Sequence, residues 1–416
     1  MDKFAFPRQL FPSVEQIQQW SLVSSKSSRS SNLGSMNPFL HSVRSRAVQT
    51  AFHAVPDKEL ERFMHPVCRW DNGIRHQLEI PPESSPAPYS VQELGNGAWL
   101  ADFEVMPFHP EELSFSEDLF SQSFSIVHYG LATFSRFRVL YVPPGVVLED
   151  RVTVYTEHAS LSYDAHILYC IVGKGARVSL ECLTSVERGI FTHVLLGWCA
   201  ERSSVALVQR ASYGSHALGL MHELWHNEKE SSLESVSSAT GGAQLWGKKE
   251  YTVGEAASVS HVSLSAVGGV EQEALITSQI HQGKDSSSSV LVKSALCDAS
   301  RSFYRGTIVL EETAQRAQAH QQQRALMLST QARMCALPSL EVAAFNVRCS
   351  HGSAAGGFNN EQVEYLRTRG ISSEQAHTLL IEGFFNDGIT LRSDALRPLV
   401  QYLKGRCRPS LSQPLI

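Results

Sequence analysis

LEDRVTV (148–154), GKGARVSL (173–180), ERSSVAL (201–207), EKESSLES (228–235), GEAASVSH (254–261) and KDSSSSVLV (284–292) are six versions of one phrase. Each is a turn of small or charged residues that runs into an apolar–x–apolar start. The first apolar residues are Val152, Val178, Val205, Leu233, Val259 and Val290, at intervals of 26, 27, 28, 26 and 31 residues. Near-regular recurrence of a turn-plus-strand unit is the mark of stacked β coils, none of which can bury its apolar side alone. Inside the units Val152 and Val154 alternate, as do Val178, Leu180 and Cys182, and Phe137, Val139 and Tyr141 begin the same pattern upstream. That period of two belongs to half-buried strands. The competing architecture is a β-sandwich, whose turns recur every ~8–12 residues. Small residues at the same place in each unit favour the solenoid.

Both flanks differ in texture. SVEQIQQWSL (13–22) opens a helix on Ser13, with Val14, Ile17 and Trp20 on one face, and residues 44–63 read as a second helical stretch. Between them SSKSSRSSNLGS (24–35) has almost nothing to bury and should be mobile, and Pro81 to Pro88 form a Pro-rich loop. Beyond Gly357, Asn359 or Asn360 caps a helix carrying Val363 and Leu366 that Gly370 ends. Ser372 and Gln375 make a capping box, followed by the stripe Ala376, Leu379, Leu380, Gly383 and Phe384. A last helix carries Leu396, Leu399, Val400 and Leu403 and stops at Gly405. The expected division is 1–130 (mixed, helical), 131–357 (β coils) and 358–416 (helical).

Composition narrows the partners. Across 416 residues, 36 Lys+Arg face 41 Asp+Glu, a formal charge of −5, which gives no attraction to nucleic acid or an anionic membrane. No apolar run reaches the ~18–20 residues of a bilayer span, and MDKFAFPRQLFPSVEQ lacks the apolar segment of a secretory signal. Eight cysteines are scattered without a CxxC, so neither a disulfide framework nor a zinc knuckle is indicated. The expectation is a soluble protein of a reducing cytosol.

His222-Glu223-Leu224-Trp225-His226 is a formal HExxH. On a helix it would place two imidazoles on one zinc and a general base beside them. Here Leu218, Leu220 and Leu224 alternate, and the segment runs into a repeat turn. On a strand His222 and His226 stand about 13 Å apart, too far to share a metal. A zinc hydrolase is therefore the remote alternative, and the motif a decoy. There is no GxxxxGK[ST], so no nucleotide is expected on a P-loop. Cys349-Ser350-His351-Gly352 remains: on a strand the thiol and imidazole point to one side, their α-carbons about 6.5 Å apart. Such donors suit iron, zinc or copper. The bland alternative is a buried Cys beside a surface His.

Around that pair stand YRGTIVLEETAQRAQAHQQ (304–322), LPSLEV (337–342) and VRCSHGSAAGGFNNEQVEYLRTRGI (347–371). Together they resemble the SufB/SufD family of iron–sulfur cluster assembly proteins over about a quarter of the chain, more closely on its SufD side. Upstream the likeness is looser, and VPDKELERF (55–63) has Phe63 where the family has Trp. The segment QQQRALML carries Arg324 and no cysteine, and Gly352 follows CSH, both SufD-like, whereas SAAGG departs from the usual ATVG.

The resemblance implies a right-handed parallel β-helix flanked by N- and C-terminal helical regions. It also implies a non-enzymatic subunit of a scaffold with a SufB-like paralogue and a SufC-like ATPase, which would supply the missing Walker motif. The chain alone would hold no cofactor, an iron–sulfur cluster or iron being carried transiently in the complex. His351 becomes the candidate cluster or iron ligand at the SufB–SufD interface, with Cys349 second. A purely structural solenoid that pairs with SufB without touching metal is the serious rival, and a homodimer is expected of the isolated chain. The ATPase is expected on residues about 361–390, anchored by Phe384 or Phe385 with Leu380. A bacterial cytoplasm is the expected compartment, a plastid the second.

Overall fold

The computed structural model describes residues 68–70, 89–104, 115–117, 134–161, 163–358, 360–387 and 396–406. The expected helices at 13–22 and 44–63, the serine-rich stretch 24–35 and the Pro-rich loop 81–88 lie outside the described residues. The strands are β1 (Cys68–Trp70), β2 (Tyr89–Gly95), β3 (Ala98–Glu104), β4 (Phe115–Glu117), β5 (Arg136–Val142) and β6 (Val152–His158). There follow β7 (Tyr163–Val172), β8 (Arg177–Cys199), β9 (Ser204–Asn227), β10 (Ser232–Gly241), β11 (Gln244–Val253) and β12 (Ser258–Val267). The last are β13 (Gln272–His281), β14 (Ser287–Leu296), β15 (Arg301–Leu310), β16 (Gln318–Met327), β17 (Arg333–Val342) and β18 (Arg348–Gly356). Three helices close the described chain: α1 (Asn360–Thr368), α2 (Ser373–Asn386) and α3 (Leu396–Arg406).

From β5 onward the strands wind into a β-solenoid of about 8 turns with two sheet faces. One face stacks β6, the first halves of β8 and β9, then β10, β12, β14, β16 and β18, all parallel. The other stacks β5, β7, the second halves of β8 and β9, then β11, β13, β15 and β17. Strands β8 and β9 run unbroken round the corner between the faces, with a register shift between Val186 and Arg188.

The ladder explains the repeated phrase. Val178, Val205, Leu233 and Val259 stand in one column, each opposite the next. The column continues through Ser288, Ala319 and Cys349. The two end marks are each displaced by two residues: Val152 pairs with Leu180, and Val290 with His261. A shift of two leaves the same side chains facing inward, so alternation alone cannot detect it. Each coil also turns on a residue of positive φ: Gly145 and Gly175, then Arg202, Glu230, Ala256, Asp285, Arg316 and Asn346. This left-handed position is the reason small, polar or charged residues recur there.

The interior changes character along the axis. Early coils are filled by Leu168, Cys170, Val172, Val178, Leu180, Leu195 and Leu207. Later coils bury polar groups, among them Gln209, Glu223, Lys249, His261, Thr277, Gln279 and Gln321. At the first end the hairpin β2–β3 lies antiparallel on β5 and covers its edge. At the last end β17 pairs only with β15 and β18 only with β16, among the described residues.

The helices lean on the outer face of the late coils. Ala376, Ile381 and Phe385 of α2 and Leu399, Val400 and Leu403 of α3 are buried, and all but Ala376 join Val236, Val262, Leu264 and Ala295 in one cluster. Ser372 makes the expected capping box with Gln375, and Gly370 takes φ +84° after α1. The buried side of α2 departs from the expected stripe, because Leu379 is 47% exposed and Gly383 is exposed too. Helix α3 runs through Gly405 to Arg406. Lys293, with 0% of its surface exposed, donates to the carbonyls of Phe384 (2.6 Å) and Asp387, so a strand side chain finishes α2. Cys297 is disulfide-bonded, against the expectation of thiols throughout.

Candidate functional site

The solenoid brings Cys349 and His351 to the end at which β17 and β18 have no further partner strand among the described residues. Both stand on β18 at inward register, Cys349 opposite Ala319 and His351 opposite Gln321. Because no described coil stacks beyond β18, inward no longer means interior. Cys349 is half-buried, packed against a cluster of Ile308, Leu310, Ala314, Ala317, Ala319 and Ala344, whereas His351 is exposed. At the end of β17 and in the link to β18 the chain lifts Val342 (47% exposed) and Phe345 (82% exposed) into solvent at the same end. On the outward side of the ladder, Ser350 and His320 hydrogen-bond at 2.9 Å. A groove of about 450 Å³ runs past them, lined by Ser260, Ser289, His320, Gln322 and Ser350.

Behind His351, its own column runs inward through Gln321, Val290, His261 and Ser235. Ser235 Oγ and His261 Nδ1 lie 2.6 Å apart. Burial, with Lys249 nearby, holds the His261 imidazolium well below its ordinary pKa, so the ring is neutral. The interior hub is Glu223. It accepts from Lys249 Nζ at 2.8 Å, from Trp225 Nε1 at 2.9 Å and from Tyr251 Oη at 3.3 Å. Lys249 also donates to Gln209 Oε1 at 3.0 Å. The Trp225 ring lies where a Cβ on Gly197 would sit, 2.0 Å from its Cε3. The period of the repeat was the one sequence signal for this pair: Lys249 lies one coil, 26 residues, after Glu223.

The HExxH string is on a strand, β9. Alternation turns Glu223 inward and His222 and His226 outward. His222 Nε2 meets Glu250 Oε2 at 3.2 Å, and the His226 ring packs on Trp198 with centroids 4.5 Å apart. Burial would raise Glu250, but Lys248 and His222 overcome it and hold the carboxyl at about 2. Among the described residues no group of three or more His, Cys, Asp or Glu is placed to hold a metal ion. Three further cysteines, Cys170, Cys182 and Cys199, are fully enclosed, and burial pushes their thiols up, which makes them packing groups.

The expected ATPase anchors are divided by the structure. Phe385 is fully buried in the cluster under α2, so as an exposed aromatic anchor it is corrected: it is core. Phe384 is partly buried with its edge toward Phe385, and Leu380 is half-buried. Among the described side chains of these helices, the large apolar groups that face solvent are Leu379 and Tyr365, the latter 58% exposed.

The parallel solenoid thus carries a hairpin on β5 at its first end, a helical buttress on its outer face, and edge strands β17 and β18 with no further partner among the described residues. Residues 153–384, more than half the chain, match the family model for the SUF system FeS cluster assembly SufBD core domain, and the chain belongs to that family. Among its relatives are the iron–sulfur cluster assembly protein SufD of Bacillus subtilis, 29% identical over 51% of this chain and 43% of that one, and its namesake in Escherichia coli, 32% identical over 23% and 22%. A SufBD family protein of Mycobacterium leprae is 36% identical over 26% of this chain and 30% of its own. The matched part thus spans less than half the length of these relatives.

Proposed function

We propose that this chain is a SufD-like, non-enzymatic subunit of an iron–sulfur cluster assembly scaffold. In this reading a SufB-like paralogue pairs with the bare end of the solenoid and a SufC-like ATPase docks on the C-terminal helices. The observation that carries it is the coincidence, within the region matched by the family model, of edge strands that lack a further partner among the described residues with exposed His351. An edge strand left bare invites another chain, and Phe345 beside it is the aromatic such a contact would bury. The imidazole of His351 at that junction serves as the candidate ligand for the cargo iron or nascent cluster. On the helices the anchor moves from Phe385 to Leu379 and Tyr365, the apolar groups that solvent reaches. No described helix is long and apolar enough to cross a membrane, and a bacterial cytoplasm or a plastid is the proposed setting.

A second reading has its own support. The half-burial of Cys349 among alanines and Ile308 makes it a packing residue, which fits a solenoid that pairs but ligates nothing. Co-purification with SufB-like and SufC-like partners, followed by anaerobic absorbance of the reconstituted complex, separates the two. Ligation predicts that His351→Ala keeps both partners and loses most of the cluster absorbance. Undiminished absorbance with both partners retained leaves the structural reading.

A further inference from the structure

A chamber of about 70 Å³ lies between the two sheet faces of the late coils. Ser263, Ser265 and Ser294 reach it from inward positions on β12 and β14, and Glu273, Ser302 and Tyr304 from β13 and β15. Oxygen crowds round the Glu273 carboxyl, which is 8% exposed. Ser302 Oγ lies 2.6 Å and Ser265 Oγ 2.9 Å from Glu273 Oε1, and Ser294 Oγ lies 2.8 Å from Ser265 Oγ. Each hydroxyl has one proton to donate and two lone pairs to offer, so the same oxygens can turn from donors into acceptors. The charge in the chamber is unbalanced. Lys249 also lines it, but its ammonium sits 2.8 Å from Glu223 Oε2, and that pair is neutral together. The phenols of Tyr213 and Tyr304 are raised by burial and stay neutral. Burial pushes the Glu273 carboxyl up and repulsion from Glu271 adds to this, in spite of the hydrogen bonds from Ser302, Ser265 and Ser294.

We propose that this chamber is a site for a monovalent metal cation, sodium or potassium, which replaces the proton of Glu273. The inference does not depend on the partners proposed above. A set made wholly of oxygens suits hard cations. A single carboxylate balances a single positive charge, whereas calcium takes several charged oxygens and magnesium keeps its waters in strict octahedral geometry. The exchange conserves charge: one proton leaves the Glu273 carboxyl for solvent as one cation enters. In the protonated state Ser302 and Ser265 donate to Oε1. With the cation bound, these hydroxyls and that of Ser294 turn their lone pairs to it. A water needs only ~10–15 Å³ of such space, so the ion has room to retain part of its hydration. Ser265 and Ser294 belong to one face and Glu273 and Ser302 to the other. The ion therefore ties the two faces together, behind the sheet on which α2 and α3 lean.

The test measures melting midpoints of the full chain in choline, sodium and potassium chloride at equal ionic strength, near pH 5 and near pH 8. The expected result near pH 8 is a midpoint about 3 °C higher in sodium or potassium chloride than in choline chloride, whose methyl-covered cation gives oxygens no close approach. The ion with the larger effect is the resident one. Near pH 5 the proton competes, and the rise should shrink to about 1 °C or less. Glu273→Gln keeps the volume and carries no charge, so its midpoint should be the same in all three salts. In choline chloride the parent should fall below Glu273→Gln as pH rises, and the resident cation should close that gap. Ser294→Ala keeps the acid and removes one oxygen, so its rise should be smaller than the parent's. Equal midpoints of the parent in the three salts near pH 8 overturn the site. A rise that persists undiminished in Glu273→Gln places the ion elsewhere and overturns it as well.

Discussion

Replacing Lys249 with Met should be among the most damaging single changes in the solenoid. Lys249 is 2% exposed and Glu223 fully buried, and the ammonium lies 2.8 Å from the carboxylate. Methionine fills most of the aliphatic volume, so the change isolates the charge. What it leaves is a carboxylate held only by Trp225 and Tyr251, with Gln209 deprived of its donor. Stranding one member of a buried pair costs about 3–5 kcal/mol, a large part of the ~5–15 kcal/mol that holds a typical domain. At ~2–4 °C per kcal/mol for a region of this size, the melting midpoint should fall by roughly 10 °C. The double variant Glu223→Gln/Lys249→Met keeps an acceptor for Trp225 and removes both charges, so it should recover at least half of that loss. Thermal and urea midpoints followed by far-ultraviolet circular dichroism measure the parent, the two single variants Lys249→Met and Glu223→Gln, and the double variant. A Lys249→Met midpoint within 2–3 °C of the parent, equivalent to ~1 kcal/mol, would refute the pair as drawn. So would a double variant no better than the sum of its singles.

Ala256 holds φ +53° at a coil turn, so Ala256→Gly should raise stability by up to ~1 kcal/mol, read as a higher urea midpoint. Phe385→Ala, at a fully buried site under α2, should lower stability by about 3–5 kcal/mol. Leu379→Ser on the exposed side of α2 should leave the midpoint unchanged while weakening ATPase capture in a pull-down. Glu273 is pushed up by burial, against which Ser302 and Ser265 donate at 2.6 and 2.9 Å. A raised folded pKa stabilises fully below the unfolded value of ~4.3 and loses that contribution as pH rises through the folded value. Glu273→Gln should therefore match the parent near pH 4 and exceed its melting midpoint increasingly toward pH 8.

How much of this was legible in the amino-acid order depends on which spacing carried the information. The coil was readable because each turn must pass a residue of positive φ and each strand must restart its alternation, so the turn phrase repeats whatever the interior holds. The register was readable only to within two residues, which is why Val152 and Val290 were misplaced while the four marks between them fell in one column. The HELWH string announced itself as a strand through the leucines around it. Lys249 and Lys293 were invisible for a different reason: a lysine reads as surface, and what buries each lies elsewhere in the chain. Glu223 is one coil before Lys249, and the carbonyls that take up Lys293 lie 91 and 94 residues beyond it. The buried side of α2 was misread because the helix rests on the sheet through Ile381 and Phe385, and a stripe drawn from the neighbouring Leu379 and Leu380 is equally apolar in sequence.

The asymmetry of the two ends gives the site its physical logic. The last row of peptide groups in a solenoid is an open edge unless something pairs with it; at β5 the antiparallel hairpin β2–β3 does so, whereas β6 pairs with β8 alone among the described residues. At β17 and β18 the described chain supplies no such cover, and the side chains there behave accordingly. Every residue of β17 is exposed or half-exposed, and so is every residue of β18. In the columns that end there, Val178 and Leu180 are wholly buried near the first end, whereas Cys349 and His351 occupy the same inward positions and meet solvent. A thiol and an imidazole in those places are therefore interior residues whose interior has not yet been completed. A docked partner would enclose them, exclude water from the donors and bring its own ligands to the same few ångströms. Under the proposed pairing, ligand exchange at a junction assembled from two chains would be reversible in a way that a closed site within one chain is not, which suits the proposed role in cluster assembly.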